Sequence, residues 1–177
     1  MKLEKKIIEG VYVIEPELKT DERGYFFRVF CKKDFAEMGI DYKIVQINRS
    51  LNIKKGTLRG MHFQKSPKAE DKIIQCIKGA VYDVAVDLRS DSETFGQWIA
   101  EELTEENKKM FLIPKGFAHG YQALRNDSEV LYFSSEFYSP EHVGGVRWDD
   151  PVFNIKWPVK EVIISEKDKS WPLFKKA

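Results

Sequence analysis

The stretch DKIIQCIKGAVYDVAVDLR, residues 71–89, decides the fold. Its apolar residues recur with period two on both sides of the turn signal IKGA (77–80), so it reads as two strands rather than a helix. The same period runs outward in both directions. VYVIEP (11–16), GYFFRVF (24–30), YKIVQINRSL (42–51) and GTLRGMHFQ (56–64) precede it. GQWIAEEL (96–103), KMFLIPKGFAHGYQAL (109–124) and SEVLYFSSEFYS (128–139) follow. Turn residues in DERG, NIKKG, RSDS and RNDS separate these runs. The segment CKKDFAEMGI (31–40) is the best helix candidate, with Asp34 as its cap and Gly39 as its stop, and TEEN (104–107) suits one helical turn. Many strands with short connections imply an all-β sandwich or barrel of jelly-roll type with short peripheral helices.

A chain of 177 residues is long enough for one buried core, so a single domain spanning 1–177 is expected. Its 29 basic and 28 acidic residues nearly cancel, leaving +1 without like-charge blocks. Neither nucleic acid nor an anionic membrane is therefore expected as a partner. The opening MKLEKKIIEGVYVIEP is charged and alternating, with no run of signal-peptide or membrane-span length, and a cytoplasmic location is expected. Cys31 and Cys76 form no CxxC or zinc spacing and read as buried thiols.

Strand phase sorts side chains between faces, because successive residues point to opposite sides. In VQINRS, Gln46, Asn48 and Ser50 share one face; in VLYFSSEFY, Tyr132, Ser134, Glu136 and Tyr138 share another. A polar row on an antiparallel strand usually just meets water. These rows carry amides, hydroxyls and phenols instead of the Lys and Glu typical of a solvated face, which suits the mouth of a site for a polar small molecule.

Two histidines stand out, His62 in RGMHFQ and His119 in PKGFAHG. A metal centre needs three or four convergent ligands, and the His-x-His pair of metal-binding barrels is lacking, since Gly60 and Gln64 flank His62 at two residues' distance. His62, His119 and a carboxylate could still form one, but a protein needing no metal is the expectation. An imidazole beside a carboxylate can instead move protons near neutral pH. A packed structural histidine is the commoner case in a β-protein; Gly60 and Gly120 weigh against it, because glycine lets a substrate or another strand come close. Arg23, Arg59 and Lys72 are candidates for gripping phosphate, each competing with an ordinary role as a solvated charge. Strict alternation puts Arg59 and His62 on opposite faces unless a bulge intervenes at Gly60.

Taken together, DERGYFFRVF, VQINRS, GTLRGMHFQ, DVAVDLR, IPKGFAHGYQAL, YSP, WDDP, IKWP and ISEKD resemble the dTDP-4-dehydrorhamnose 3,5-epimerase family, in its order and spacing, from about residue 8 to residue 172. The resemblance implies a cupin-like jelly roll (a double-stranded β-helix), a homodimer, and no metal or cofactor. It implies a nucleotide-linked 4-keto-6-deoxyhexose as substrate, inverted at C3 and C5 through an enolate. By resemblance His62 is the base, Asp168 its orienting partner, Lys72 the oxyanion stabiliser and Tyr132 the opposing acid. Arg23 and Arg59 match diphosphate contacts, Gln46 and Asn48 the nucleotide site, Tyr138 an aromatic stacked near the base, and His119 and Lys167 further substrate contacts.

Three positions depart from the family pattern. Arg28 and Val143 stand where Glu is usual, and Glu70 where Gln is usual. All three belong to recognition rather than proton transfer, so they bear on which nucleotide and sugar are accepted. The leading expectation is conversion of dTDP-4-dehydro-6-deoxy-D-glucose to dTDP-4-dehydro-L-rhamnose. The rivals are an enzyme inverting C3 or C5 alone, one taking a CDP-linked sugar, a metal-dependent cupin enzyme, and a non-catalytic sugar-nucleotide binding module.

Overall fold

The computed structural model describes residues 1–175, and its regular structure is mostly strand. One six-stranded sheet has the order β1 (Lys2–Lys5), β2 (Tyr12–Glu15), β10 (Met110–Ile113), β7 (Lys72–Lys78), β12 (Ser128–Ser134), β5 (Gln46–Asn52). The other runs β13 (Val143–Gly145), β6 (Thr57–Gln64), β11 (Phe117–Ala123), β8 (Ala80–Asp87), β9 (Trp98–Thr104), and β14 (Ile163–Ile164) pairs parallel with β6. A separate hairpin joins β3 (Lys19–Asp21) to β4 (Gly24–Phe26). The helical pieces are short: α1 (Lys32–Glu37), a 3₁₀ turn at Pro140–His142 and α2 (Glu166–Lys169). This is the cupin-like jelly roll expected from the sequence.

The 71–89 stretch folds as read. β7 and β8 meet at Gly79, whose φ of +74° suits a residue without Cβ. The two strands then enter different sheets, so this tight connection ties one layer to the other. Between the layers lies a core containing Val13, Ile74, Val81, Leu103, Phe111, Phe117 and Val130. Each sheet is also covered on its outer face. Phe35 of α1, Ile40 and Tyr42 close over Ile14, Ile73, Met110 and Phe133 of the first sheet. Val146, Phe153 and Trp157 close over Met61, Val84 and Ala118 of the second. Sheets buried on both sides need apolar residues in both phases, which is why β8 and β10 are almost wholly buried.

Several local expectations need correction. GYFFRVF is strand only over Gly24–Phe26; Phe30 instead leaves the sheet and packs on Phe35, with ring centroids 4.9 Å apart. Cys31, not Asp34, occupies the cap position of α1, and Asp34 lies in the first turn. Gly39 does stop the helix, with φ +80° and its N–H donating to the carbonyl of Ala36. Residues 105–107 form a hydrogen-bonded turn rather than a helix. Cys76 is buried, whereas Cys31 is partly exposed. Tyr138 lies beyond the end of β12, so strand phase does not relate it to Tyr132.

Candidate active site

Between the sheets opens a cavity of about 210 Å³ lined by Ser50, Arg59, His62, Lys72, His119, Tyr121, Tyr132 and Asp168. A bulge brings these side chains together. Across the β6–β11 ladder His62 pairs with His119 and Arg59 with Tyr121, so Gly60 and Met61 stand against Gly120 alone. The extra residue in β6 turns Arg59 and His62 to the same side, as their joint presence in the wall requires. Gly60 has φ +132°, and a Cβ there would lie 2.5 Å from the Gly120 Cα; one on Gly120 would lie 2.8 Å from the Arg59 carbonyl oxygen. The two glycines are what allow the strands to touch at this point.

Each histidine in the wall has its own carboxylate. His62 Nε2 lies 2.6 Å from Asp168 Oδ1, and Asp168 Oδ2 also accepts from the Gly60 N–H at 3.4 Å. Asp168 reaches the site on α2, whose first turn is capped by Ser165 Oγ accepting from the Asp168 N–H at 3.1 Å. Burial alone would raise the Asp168 carboxyl; the hydrogen bond and charge of His62, with the Gly60 and Ser165 contacts, outweigh it and hold the group below the usual aspartate range. A neutral His62 donating from Nε2 to this carboxylate keeps a lone pair on Nδ1, the state a base needs. His119 Nε2 lies 2.9 Å from Asp83 Oδ1. Asp83 is fully buried, and burial pushes its carboxyl up, with His119 and Lys72 offsetting only part.

On the facing sheet, Tyr132 of β12 and Lys72 of β7 complete the wall. Burial raises the Tyr132 phenol above its ordinary value, so it stays protonated at neutral pH. Lys72 Nζ pairs with Glu70 at 3.1 Å, and both side chains are largely buried. Gln46, Asn48 and Ser50 line up on the inner side of β5 as strand phase indicates, alternating with exposed Ile47, Arg49 and Leu51. Gln46 Nε2 donates to Asn48 Oδ1 at 3.2 Å, while the buried Asn48 Nδ2 has no partner among the described residues. A buried donor left open in this way suits a polar ligand. Arg59 Nε donates to Asn52 Oδ1 at 2.9 Å, which anchors the guanidinium beside the cavity.

Other expected site residues lie outside this cavity. Arg23 is highly exposed on the β3–β4 hairpin and pairs with Asp21 at 2.6 Å. Arg28 pairs with Asp34 at 3.2 Å on the surface. Tyr138 is exposed, its N–H donating to Gln46 Oε1 at 3.2 Å. Lys167 is exposed on α2, and Val143 opens β13 opposite Gln64. Asp83, Tyr121 and Trp171 were not anticipated. Tyr121 Oη hydrogen-bonds Ser50 Oγ at 2.8 Å, bridging the two sheets in the cavity wall. Among the described residues no group of three His, Cys or carboxylate side chains is placed to hold a metal ion.

The family model described as dTDP-4-dehydrorhamnose 3,5-epimerase matches residues 5–176. The chain belongs to that family. It is 46% identical to the epimerase of Methanothermobacter thermautotrophicus over 170 residues, covering 94% of this chain and 91% of the relative. It is likewise similar to the Bacillus anthracis dTDP-4-dehydrorhamnose 3,5-epimerase, whose crystal structure has TDP and PPi bound: TM-score 0.96, 43% identity, 98% of this chain and 99% of that one. A third likeness is to the Legionella pneumophila dTDP-6-deoxy-D-glucose-3,5-epimerase in complex with dTDP-4-keto-L-rhamnose, at TM-score 0.92 and 40% identity over 97% of this chain and 92% of that one. As a 3,5-epimerase family member the protein is an isomerase. None of its described helices is long and apolar enough to cross a membrane.

Proposed function

We infer that the protein inverts C3 and C5 of dTDP-4-dehydro-6-deoxy-D-glucose, giving dTDP-4-dehydro-L-rhamnose, with its own side chains as the only acids and bases. One observation carries this reading: His62 on one sheet, paired with Asp168 of α2, and a partly buried, protonated tyrosine on the facing sheet line the same cavity. Inversion requires a proton to leave one face of the sugar and return to the other, so base and acid must stand on opposite sides of it. The C4 ketone acidifies the hydrogens on C3 and C5. His62 removes one, Asp168 steadies the imidazolium, Lys72 stabilises the enolate oxygen as charge develops there, and Tyr132 delivers a proton from across the ring. His119, held by Asp83, contacts the sugar beside them.

Arg59 holds the diphosphate, Gln46 and Asn48 the nucleotide, Tyr138 the base and Lys167 the outer rim. Arg23 completes the phosphate grip from a second copy of the chain. A homodimer is supported by the exposed Tyr25 and Phe26 on the same hairpin and by the exposed Ile47 and Leu51 of β5 with Ile53 just past its end, apolar surface unusual on a protein that works alone. Glu70, Arg28 and Val143 adjust recognition; Glu70 does so by sharing the Lys72 ammonium. The reaction and its substrate are tested together by incubating the protein with dTDP- and CDP-linked 4-keto-6-deoxy sugars in deuterated water. Label at both C3 and C5 of the dTDP sugar is expected; label at one carbon alone, or only on the CDP sugar, contradicts the reading.

A further inference from the structure

Gly145 in β13 is the ladder partner of His62 in β6. Directly opposed residues of an antiparallel pair carry neighbouring side chains on one face, so a glycine there leaves a slot beside the imidazole. The indole of Trp171 fills the slot. A Cβ on Gly145 would stand 2.4 Å from Trp171 Cδ2 and Cε2 and 2.7 Å from its Nε1. The two rings meet edge to face, with centroids 6.2 Å apart and planes inclined at 69°. Trp171 Nε1 is buried with no acceptor among the described residues. Among the described residues the indole thus meets its surroundings through shape, against the Gly145 backbone and the His62 ring, rather than through a hydrogen bond. Its placement is tied to that of Asp168, three residues earlier on the same short segment. Ser165 fastens that segment at its start, and the Arg147 N–H, donating to the Pro172 carbonyl at 3.2 Å, fastens it just past the indole.

We propose that Trp171 is a positioning residue for His62: Asp168 fixes the Nε2 end of the imidazole and the indole fixes its plane. The ring then meets the substrate carbon in a single orientation. This inference rests on the reading of His62 as the base. It differs from the role of Asp168, because the indole neither accepts a proton nor carries charge.

The test measures solvent-deuterium exchange into the dTDP-linked 4-keto sugar by Trp171→Ala, Trp171→Phe and His62→Ala variants. Trp171→Ala is expected to lower kcat about 10- to 100-fold, the scale of a small misplacement of a reacting group. KM should change by less than about threefold, since ground-state binding is untouched. Trp171→Phe, which keeps an aromatic wall, should recover most of the loss. In NMR spectra the imidazole Cε1–H resonance missing from His62→Ala should broaden or split in Trp171→Ala and stay single in Trp171→Phe. Should Trp171→Ala not fold, Gly145→Ala, which drives a methyl into the indole, is read the same way. Wild-type kcat in Trp171→Ala, or in Gly145→Ala if that is the variant that folds, overturns the inference when His62→Ala is inactive. An active His62→Ala overturns instead the assignment of the base.

Discussion

His62 and His119 face each other across one ladder, each with a carboxylate on Nε2, yet the two carboxylates sit in different surroundings. Asp168 is held below the ordinary aspartate range by the groups that contact it, whereas Asp83 is sealed from water, pushed up, and has one oxygen with no described partner. An ionised Asp168 can balance an imidazolium as it forms; a carboxylate whose charge is penalised does so less well. That contrast favours His62 as the base and leaves His119 to hold the substrate. In the proposed mechanism Tyr132 serves the opposite face. Replacing Tyr132 by Phe should depress inversion more than exchange, because abstraction proceeds without the opposing acid. Comparing the rate of label uptake with the rate of product formation measures this, and an equal fall in both would deny Tyr132 a role confined to the acid. Parts of this arrangement were legible in the residues and parts were not. Strand phase located Gln46, Asn48 and Ser50, because β5 has one inner and one exposed face. Asp83 carries no such signal: β8 is covered on both sides and its apolar residues occupy both phases, so alternation does not mark a carboxylate within it.

At the scale of the element, the bulge in β6 and the short helix α2 decide whether the site exists. Gly60 and Gly120 signalled a close approach of strands, and the bulge needed to unite Arg59 with His62 is present between them. Gly60→Ala would place a methyl against the Gly120 backbone at a positive φ that alanine resists. It should destabilise the fold by about 2 kcal/mol or more, read as a fall in the urea midpoint without change in m-value. A midpoint equal to wild type would mean that the bulge tolerates a side chain. The helix α2 has only four residues, too few for apolar periodicity to show. Its signal was the spacing Ser165-x-x-Asp168, a helix-start pattern with the acid three residues after the hydroxyl. GYFFRVF misled for a related reason: an apolar run without a sheet beside it is free to leave the strand, and Phe30 does so to meet α1.

At the scale of the molecule, the two sheets supply opposite walls of one cavity, and the connection at Gly79 links one sheet to the other. The jelly roll was readable from alternation because its strands are short and their turns well marked; which surface would meet a second chain in the proposed homodimer was not, since an exposed apolar row has no sequence signature of its partner. Arg23 sits on an exposed hairpin outside the cavity of its own chain. If it serves the partner's cavity, Arg23→Ala and His62→Ala subunits, each weak alone, should regain activity when unfolded together and refolded as a mixture. One site of each mixed dimer would then carry both intact residues. No recovery in a mixture shown by mass spectrometry to contain mixed dimers would remove Arg23 from the partner's site.

The most direct measurement is proton NMR of a dTDP-linked 4-keto-6-deoxy sugar in deuterated water, with wild-type protein and folded His62→Ala side by side. Loss of the C3 and C5 proton signals with wild type, and their persistence at both carbons with the variant, is the predicted result. Exchange by His62→Ala at the wild-type rate would contradict it.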